Sequence, residues 1–468
     1  MLFSSVIFIF LFLPIVLAGY YLIRREYRNY FLLFFSLFFY AWGEPKYVII
    51  MFASILLNYW MALIIQKYKK TYFLMIAISL NLVILAFFKY LHFVFMIVDS
   101  IFPIPNLVSS SEKIVLPIGI SFFTFQAMSY CIDVHYKRVE VQSDLSKVAL
   151  YISFFPQLIA GPIVRYIDIA REIDTRSESF DDFVLGARRF IIGLSKKVLI
   201  ANVLAQSADR AFNTTPSELN LGFSAIGVLF YTFQIYFDFS GYSDMAIGLG
   251  RMFGFHFFEN FKNPYSASSL RDFWRRWHIS LSSWFRDYLY LPLGGNREGN
   301  FRTGLNLVIV FLLCGLWHGA SWTFVIWGVW HGMFLVLERT SLGKIIDKLP
   351  GFAKSLYTMF VVCTGWIFFR SDSLTHAMGF FNSFLVLDTS NSRDHILNYL
   401  NNEIYVILIF AFMLSSERIT SNIKSLFKRI LNEEFKAVII NFCLLLLFFI
   451  SIAKLALGTY NPFIYFRF

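Results

Sequence analysis

Phe273-Trp-Arg-Arg-Trp-His-Ile-Ser-Leu-Ser-Ser-Trp-Phe-Arg-Asp-Tyr-Leu-Tyr-Leu-Pro-Leu-Gly-Gly-Asn-Arg297 sets ionisable side chains among tryptophans and tyrosines in a strongly apolar chain. The chain has 468 residues, of which 57% are hydrophobic and only 15% are charged. Because globular proteins carry about 25% charged residues, this composition indicates an integral membrane protein. Ionisable groups beside hydrocarbon cost ~2.5–3.5 kcal/mol each at a helix centre and usually mark a pathway or a site. His278 and the arginines around it are therefore candidate functional residues.

A second histidine lies in an apolar run further along, in Leu316-Trp-His-Gly-Ala-Ser-Trp322. Burial disfavours the charged form of an imidazole, so His318 would stay neutral and able to accept a proton. A neutral base is what removing the proton of an acceptor hydroxyl requires. The alternative is a core histidine satisfied by a neighbouring carbonyl. His331, in Trp330-His-Gly332, is interpreted as a structural histidine of helix packing.

Apolar runs near the ~20 residues that cross a bilayer recur along the chain. They predict spans at 2–23, 30–43, 46–65, 72–98, 114–133, 190–206, 222–255, 303–318, 321–338, 352–369, 404–416 and 437–456. The net charge of +11 is concentrated in short loops, so it predicts cytoplasmic loops rather than nucleic-acid binding. Both termini are then expected outside, and the first run, which no basic segment precedes, is expected to be an uncleaved span.

Two regions do not fit a simple crossing. Residues 153–165 carry two prolines and a glycine in an apolar run, and residues 271–300 are amphipathic, basic and aromatic. Irregular backbone at membrane depth is tolerated only where protein or a water-filled cavity satisfies it. We expect both regions to line a cavity, and an interfacial helix on the cytoplasmic leaflet is the alternative.

The polar residues that remain predict little metal or disulfide chemistry. The four cysteines are scattered singly, and the histidines lack metal-ligand spacing, so the sequence predicts neither a disulfide framework nor a metal site. Asp238 lies in an apolar helix and does not share a face with Asp244. We interpret Asp238 as a buried organiser of hydrogen bonds.

Six segments together resemble a known family. They are Leu116-Pro-Ile-Gly-Ile-Ser-Phe-Phe-Thr-Phe-Gln126, Phe155-Pro-Gln-Leu-Ile-Ala-Gly-Pro162, Tyr236-Phe-Asp-Phe-Ser-Gly-Tyr-Ser-Asp-Met245, the two histidine segments quoted above, and Phe463-Ile-Tyr-Phe-Arg-Phe468. The chain resembles the membrane-bound O-acyltransferase (MBOAT) family, in its bacterial branch of alginate O-acetylases and peptidoglycan O-acetyltransferases. The resemblance implies an all-α, polytopic membrane protein whose helical core has re-entrant segments and a central tunnel. It also implies one membrane domain over 1–468, with a core at about 114–340 between N-terminal spans (1–113) and C-terminal spans and tail (341–468).

The resemblance further implies a reaction. An acetyl group would pass from cytoplasmic acetyl-CoA, with no permanently bound cofactor, to O-acetylate a cell-envelope or extracellular polysaccharide. His318 would act as the base and His278 would assist, while Trp277, Trp317 and Asp238 would line the site. D-alanyl transfer to teichoic acid remains an alternative, and so does a transporter that moves an acyl or glycan substrate without chemistry.

Four arginines fit the phosphates of a coenzyme A or carrier-bound donor, because guanidinium binds phosphate oxygens bidentately. They are Arg275, Arg276, Arg286 and Arg297. For each of them, anchoring against anionic lipid is the alternative. The resemblance also implies the bacterial inner membrane and an extracytoplasmic, esterase-like acetyltransferase partner of the SGNH type.

The aromatic end of the chain contains Tyr465. The basic loop at 424–436 predicts that this end emerges outside. By similarity to the tyrosine-bearing partner peptides of the D-alanyl systems, Tyr465 is a candidate acyl acceptor, which His318 would deprotonate for attack on the thioester. An aromatic anchor at the membrane interface is the alternative.

Overall fold

The computed structural model describes residues 1–112, 114–386, 400–430, 432–458 and 460–462, and all regular structure in these ranges is helical. The first helices are α1 Leu13–Leu22, α2 Arg28–Gly43, α3 Val48–Tyr68, α4 Thr71–Lys89, α5 Leu91–Ile101, α6 Leu107–Ser111, α7 Ile120–His135, α8 Leu145–Ser153, α9 Phe155–Leu158 and α10 Tyr166–Thr175. They are followed by α11 Phe180–Ser195, α12 Asn202–Phe212, α13 Leu221–Met252, α14 Leu270–Arg276, α15 Ile279–Phe285, α16 Gly299–His318 and α17 Trp322–Leu337. The last are α18 Ser341–Lys348, α19 Gly351–Arg370, α20 Leu374–Val386, α21 Asn402–Ser415, α22 Glu417–Ile430 and α23 Glu433–Ala456. Short π-helical segments lie at Phe8–Phe12, Lys196–Ala201 and Arg286–Tyr290.

Seven helical segments of the described residues are long and apolar enough to cross a membrane, which makes this a multi-pass membrane protein. They are Val48–Tyr68, Thr71–Lys89, Phe180–Phe212, Leu221–Met252, Gly299–His318, Gly351–Arg370 and Glu433–Ala456. The bent pair α21 and α22 would make an eighth if it formed one span. The run predicted at 72–98 divides at Tyr90 into α4 and α5, and the run at 222–255 forms the single 32-residue helix α13.

The chain forms two compact units, one of which contains residues 1–190 and 243–258. Its core includes a cluster of phenylalanine rings, in which Phe155 lies 5.4 Å from Phe12 and 5.6 Å from Phe39. Helices α3 and α4 are joined by the fully buried side chains of Asn58 and Asn81, whose amides exchange two hydrogen bonds of 2.8 and 3.1 Å. The pairing satisfies polar groups that would otherwise be costly to bury among apolar side chains.

Irregular backbone follows α8 in the same unit, as the prolines of this region predict. The segment from Phe154 to Val164 is buried throughout. Protein groups satisfy part of it, since the Tyr151 hydroxyl donates to the Val164 carbonyl at 3.2 Å and Gln157 Nε2 donates to the Tyr151 carbonyl at 2.6 Å. The segment therefore meets the condition for non-helical backbone at membrane depth.

The second unit contains residues 191–242 and 259–468, and it holds both candidate histidines. Its helices α16 and α17 approach closely because glycines face each other. A Cβ atom on Gly315 would lie 2.3 Å from the Phe324 carbonyl oxygen, and one on Gly328 would lie 2.3 Å from that of Phe311. Small residues at such crossings let two backbones come together without a side chain between them. The sequence-based division into one domain with a core at about 114–340 stays a prediction.

Candidate active site

His318 is the last residue of α16 and is only 7% exposed. Its ring is surrounded by aromatic rings: Trp317 at 4.9 Å, Phe369 at 5.0 Å and Trp327 at 5.1 Å between centroids. The following Gly319 is required sterically, since a Cβ atom there would lie 2.1 Å from the Phe324 ring. The Trp-His-Gly sequence thus ends the helix in a place where the imidazole is enclosed by apolar walls.

His278 lies at a sharp bend between α14 and α15. Its backbone adopts the left-handed conformation, with φ 43° and ψ 55°, and its side chain is 1% exposed. Non-glycine residues in this conformation are uncommon, and such strain is concentrated at functional sites. Burial lowers the pKa of His278 to about 3, so the imidazole is neutral at physiological pH.

Asn260 stabilises this bend, a role that no pattern in the sequence predicts. Its Oδ1 atom lies 3.2 Å from Nδ1 of His278 and accepts from the Ser280 amide at 3.1 Å and the Ser280 hydroxyl at 2.9 Å. Its backbone carbonyl accepts from the Ile279 amide at 2.9 Å. Because an amide oxygen is an acceptor, Nδ1 of His278 carries the proton and Nε2 carries a lone pair.

Both histidines contact the same tryptophan. The Trp317 ring lies 6.2 Å from His278 and 4.9 Å from His318 between centroids. The tertiary structure therefore brings together the histidines of the two sequence segments. Trp277 lies in an adjoining aromatic cluster, stacked on Phe273 at 5.5 Å.

A cavity of about 420 Å³ extends along α16 on one side of this region. Leu307, Val310, Phe311 and Cys314 of α16 line its apolar wall, and Cys314 lies one helical turn before His318. Arginines from three elements line the same cavity: Arg271, Arg275, Arg286 and Arg339. The cavity thus combines an apolar channel near the histidine with a strongly basic lining.

Two of these arginines, Arg275 and Arg286, were predicted from the sequence as donor-binding residues. Arg271 precedes Arg275 by four residues, so the two share a face of α14, and this spacing was a signal that the sequence offered. Arg339 could not be found in this way, because it comes from the far end of α17. In the described residues, no ion pair within 4.0 Å involves Arg271, Arg275 or Arg339.

Glu338 brings the ends of α14 and α17 together. Its carboxylate accepts from the backbone amides of Leu270 at 2.6 Å and Arg271 at 3.2 Å, at the start of α14. Burial raises the pKa of this carboxyl above its usual value. The contact sets Arg271 beside the end of α17, where Arg339 follows, and so assembles part of the basic lining.

The other two predicted donor-binding arginines do not line the cavity. Arg276 pairs with Asp272 at 2.9 Å and with Glu417 at 2.5 Å. Arg297 donates to the carbonyls of Gly294 at 3.2 Å and Leu291 at 3.1 Å, within its own turn.

A second, smaller cavity of about 190 Å³ lies on the other side of Phe369. Its lining is mixed: Tyr231, Ser321, Thr323, Phe324, Phe369, Arg370, Ser371 and Asp372. Phe369 therefore contacts His318 with its ring and also lines this cavity. Arg370, whose side chain is 2% exposed, is held by Asp209 at 2.7 Å.

Asp238, predicted to be a buried organiser, forms an ion pair with Lys197 at 2.7 Å, and both side chains are 1% exposed. Lys197 also donates to the carbonyl of Pro462, near the end of the chain. Two further contacts hold this end: Asn202 Nδ2 donates to Asn461 Oδ1 at 3.0 Å, and the Tyr460 hydroxyl donates to Asp209 Oδ2 at 2.6 Å. Tyr465 itself lies outside the described residues.

His331 is fully buried among aromatic rings, with Trp327 at 5.0 Å and Trp274 at 5.1 Å between centroids. Gly365 makes room for it, since a Cβ atom there would lie 2.6 Å from His331 Nε2. This environment agrees with a role in helix packing. In the part of the chain that the structure describes, no group of three or more His, Cys, Asp or Glu side chains is arranged to hold a metal ion.

A buried imidazole flanked by two separate cavities suits a membrane enzyme of group transfer, because each cavity can hold one of two substrates. Comparison with known proteins gives the family. The model of the membrane-bound O-acyltransferase family matches residues 135–348. A protein of Pseudomonas putida named "Probable alginate O-acetylase" is 39% identical over the full length of both chains.

Two further relatives differ in their named substrates. A peptidoglycan O-acetyltransferase of Helicobacter pylori is 36% identical over 81% of this chain and 78% of its own. A teichoic acid D-alanyltransferase of Bacillus subtilis is 29% identical over 45% of this chain and 55% of its own. The chain belongs to the membrane-bound O-acyltransferase family, and it is an O-acyltransferase.

Proposed function

We propose that this protein transfers an acetyl group from acetyl-CoA across the membrane for O-acetylation of a cell-envelope or extracellular polysaccharide. The main support is the position of His318, which lies one turn from the arginine-lined cavity and in ring contact with the wall of the second cavity. Relatives named for alginate and peptidoglycan O-acetylation are similar over most of the chain. D-alanyl transfer has less support, because the D-alanyltransferase of Bacillus subtilis is only 29% identical and aligns with 45% of the chain.

The larger cavity would receive the donor. Its basic lining suits the phosphates of coenzyme A, and its apolar wall suits the pantetheine arm and acetyl group. Arg275 and Arg339 are available for such a ligand, since they form no ion pair within 4.0 Å in the described residues, whereas the charge of Arg271 also interacts with the Glu338 carboxylate. By the positive-inside bias, the arginine-lined cavity would face the cytoplasm of a bacterial inner membrane, where acetyl-CoA is made.

His318 would act as the general base. Its lone pair takes the proton of the acceptor hydroxyl while the oxygen attacks the thioester carbonyl carbon. The carbon–sulfur bond then breaks, and the proton on His318 passes to the departing thiolate. The products are an acetyl ester and coenzyme A, and the histidine returns to its neutral form.

His278 would position a reactant. Because its Nδ1 is engaged by Asn260, its Nε2 offers a lone pair and accepts a hydrogen bond. It therefore suits an N–H or O–H group of the substrates better than the carbonyl oxygen of the thioester. The aromatic walls around both histidines exclude water, which protects the thioester from hydrolysis.

The acceptor that meets the donor inside the protein would be Tyr465. The described end of the chain is held by Asp209, Asn202 and Lys197, and Asp209 also holds Arg370 of the second cavity. The five residues that lead from Tyr460 to Tyr465 could span at most about 18 Å when fully extended, at ~3.6 Å per residue. An extracytoplasmic, esterase-like partner would then move the acetyl group from the tyrosine to the polysaccharide.

The test uses the purified protein in nanodiscs with acetyl-CoA labelled in the acetyl group. An acetyltransferase releases coenzyme A and leaves label on the protein or on an added acceptor. A transporter of an acyl or glycan substrate leaves the thioester intact, so the absence of coenzyme A release would contradict the proposal. D-alanyl donors added in parallel decide between the two acyl groups.

A further inference from the structure

Helix α22 lines neither cavity and is exposed along most of its length. It follows α21 at an angle of 86°, and none of its residues is buried. Its sequence is Glu-Arg-Ile-Thr-Ser-Asn-Ile-Lys-Ser-Leu-Phe-Lys-Arg-Ile, from Glu417 to Ile430. An exposed helix with this direction lies across the axis of the apolar helix that precedes it.

The helix has two opposite faces. Apolar residues recur at spacings of three and four and form a single stripe: Ile419, Ile423, Leu426, Phe427 and Ile430. The stripe is open, with Phe427 43%, Leu426 54% and Ile430 68% exposed. The other side carries four basic residues, Arg418, Lys424, Lys428 and Arg429.

These faces suit neither water nor the bilayer core. An apolar side chain left in water loses the free energy that burial would supply. A basic group at the centre of a bilayer is costly, because hydrocarbon does not solvate its charge. A helix lying in the membrane interface avoids both penalties, since its apolar stripe enters the acyl chains and its basic face stays among the headgroups.

Two contacts hold the start of α22 against the segment that contains α14. The Glu417 amide donates to the Ser266 hydroxyl at 2.8 Å, and the Glu417 carboxylate pairs with Arg276 at 2.5 Å. At its other end, α23 begins at Glu433 and is long and apolar enough to cross the membrane. The helix is therefore held at its start, and it lies between two apolar helices along the chain.

We propose that α22 is an in-plane helix that binds the surface of an anionic membrane, with its apolar stripe in the acyl-chain boundary and its basic face on lipid phosphates. Anionic lipid is favoured over neutral lipid because four cations on one helix are each attracted to a negatively charged surface. The site is distinct from both cavities.

The position of the helix can be measured with fluorescent labels in nanodiscs. An environment-sensitive dye is attached to Phe427→Cys, on the apolar stripe, or to Ser421→Cys, on the polar side, in a background with the exposed Cys443 replaced by Ser. We expect lipid-borne quenchers near the headgroups to quench the Phe427 label more than quenchers at the chain ends do. The Ser421 label should respond to a water-soluble quencher instead. Stronger quenching from the chain ends would indicate a broken span, and a water-exposed Phe427 label would indicate a surface for a protein partner; either result overturns the proposal.

A second arm tests the charge. Quenching of the Phe427 label by headgroup quenchers should rise about twofold on replacing neutral lipid with about 30% phosphatidylglycerol, and salt should reduce the gain. Lys424→Gln, Lys428→Gln and Arg429→Gln together should remove the dependence on anionic lipid while α21 and α23 still insert. Equal quenching in neutral and anionic nanodiscs would contradict the anionic preference.

Discussion

Nδ1 of His278 lies 3.2 Å from Oδ1 of Asn260, at a residue whose backbone is left-handed. The same oxygen accepts from the amide and the hydroxyl of Ser280. One buried amide side chain therefore fixes both the bend of the chain and the tautomer of the imidazole. It leaves Nε2 of His278 as an acceptor.

This relationship predicts a change of pH dependence in Asn260→Asp. The pKa of His278 is lowered to about 3 by burial, so in the natural protein it stays neutral through the physiological range. A carboxylate in place of the amide favours the imidazolium and raises that pKa. Activity should then fall as the pH drops through the raised value, because protonation removes the acceptor lone pair. The measurement is kcat/KM against pH from about 5 to 9. An unchanged acid limb would show that the charge state of His278 does not matter.

Replacement of His318 by Gln should reduce acetyl transfer by ~10²–10⁴-fold, since it removes the proposed base while keeping a polar side chain. Coenzyme A release and acetyl transfer are both measured, together with the amount of folded protein. The matched control is His135→Gln, a partly exposed histidine that lines neither cavity. Near-normal transfer by a well-folded His318→Gln protein would remove the histidine from the mechanism.

Charge reversal at Arg275 and at Arg276 should have different effects, because the two side chains have different surroundings. Arg275→Glu is expected to raise KM for acetyl-CoA, because it reverses charge in the cavity, whereas Arg276→Glu should chiefly lower stability by facing Asp272 and Glu417 with a like charge. S-acetylpantetheine lacks the coenzyme A phosphates and serves as the control substrate. Its KM should stay unchanged in Arg275→Glu. An equal rise for both substrates would show that Arg275 does not bind phosphate.

The packing of α16 predicts opposite effects for two glycines of the same helix. Gly315→Ala would press a methyl group 2.3 Å from the Phe324 carbonyl, and such overpacking costs about 1–3 kcal/mol. Gly304→Ala meets only Val336 side-chain atoms at 3.5 Å or more, and it should stabilise the helix slightly by its better propensity. The measurement is the midpoint of thermal unfolding in detergent, compared between each variant and the unchanged protein. Equal midpoints for the two variants would mean that α16 and α17 move apart enough to accommodate the added methyl group.

Tyr465→Phe should abolish acetylation of the polymer while the ring can still anchor the chain end. The companion variant Tyr460→Phe removes the hydrogen bond to Asp209 and should reduce transfer only partly. Tyr405→Phe, an exposed tyrosine of α21, is the control. Mass spectrometry of the C-terminal peptide looks for acetylated tyrosine. Full polymer acetylation by Tyr465→Phe would leave the tail as an anchor only.

The sequence by itself determined the class of protein. Its low charge and repeated apolar runs required a membrane, because the cost of burying charge in hydrocarbon acts on composition alone. The segments around His278 and His318 identified the family, which the comparisons confirm. The place of irregular backbone after α8 also followed from the sequence, since prolines lack the amide proton that a helix needs. Tyr465 and the roles of the histidines stay predictions.

Only the tertiary structure decided which polar groups meet. Four arginines looked equivalent in the sequence, yet the structure gives them different partners. Arg275 and Arg286 line the cavity, and Arg286 also pairs with the neighbouring Asp287 at 2.6 Å. Arg276 pairs with Asp272 and Glu417, and Arg297 donates to carbonyls of its own turn. Arg339 joins the cavity from another helix, and Asn260 reaches His278 across a bend. Local patterns fix which residues can be buried, because burial depends on each side chain's own transfer free energy. The hydrogen-bond and ion-pair partners of a polar side chain depend on contacts between segments that are distant in the sequence. A single sequence therefore does not show which of several similar arginines meets an acidic partner and which lines a cavity.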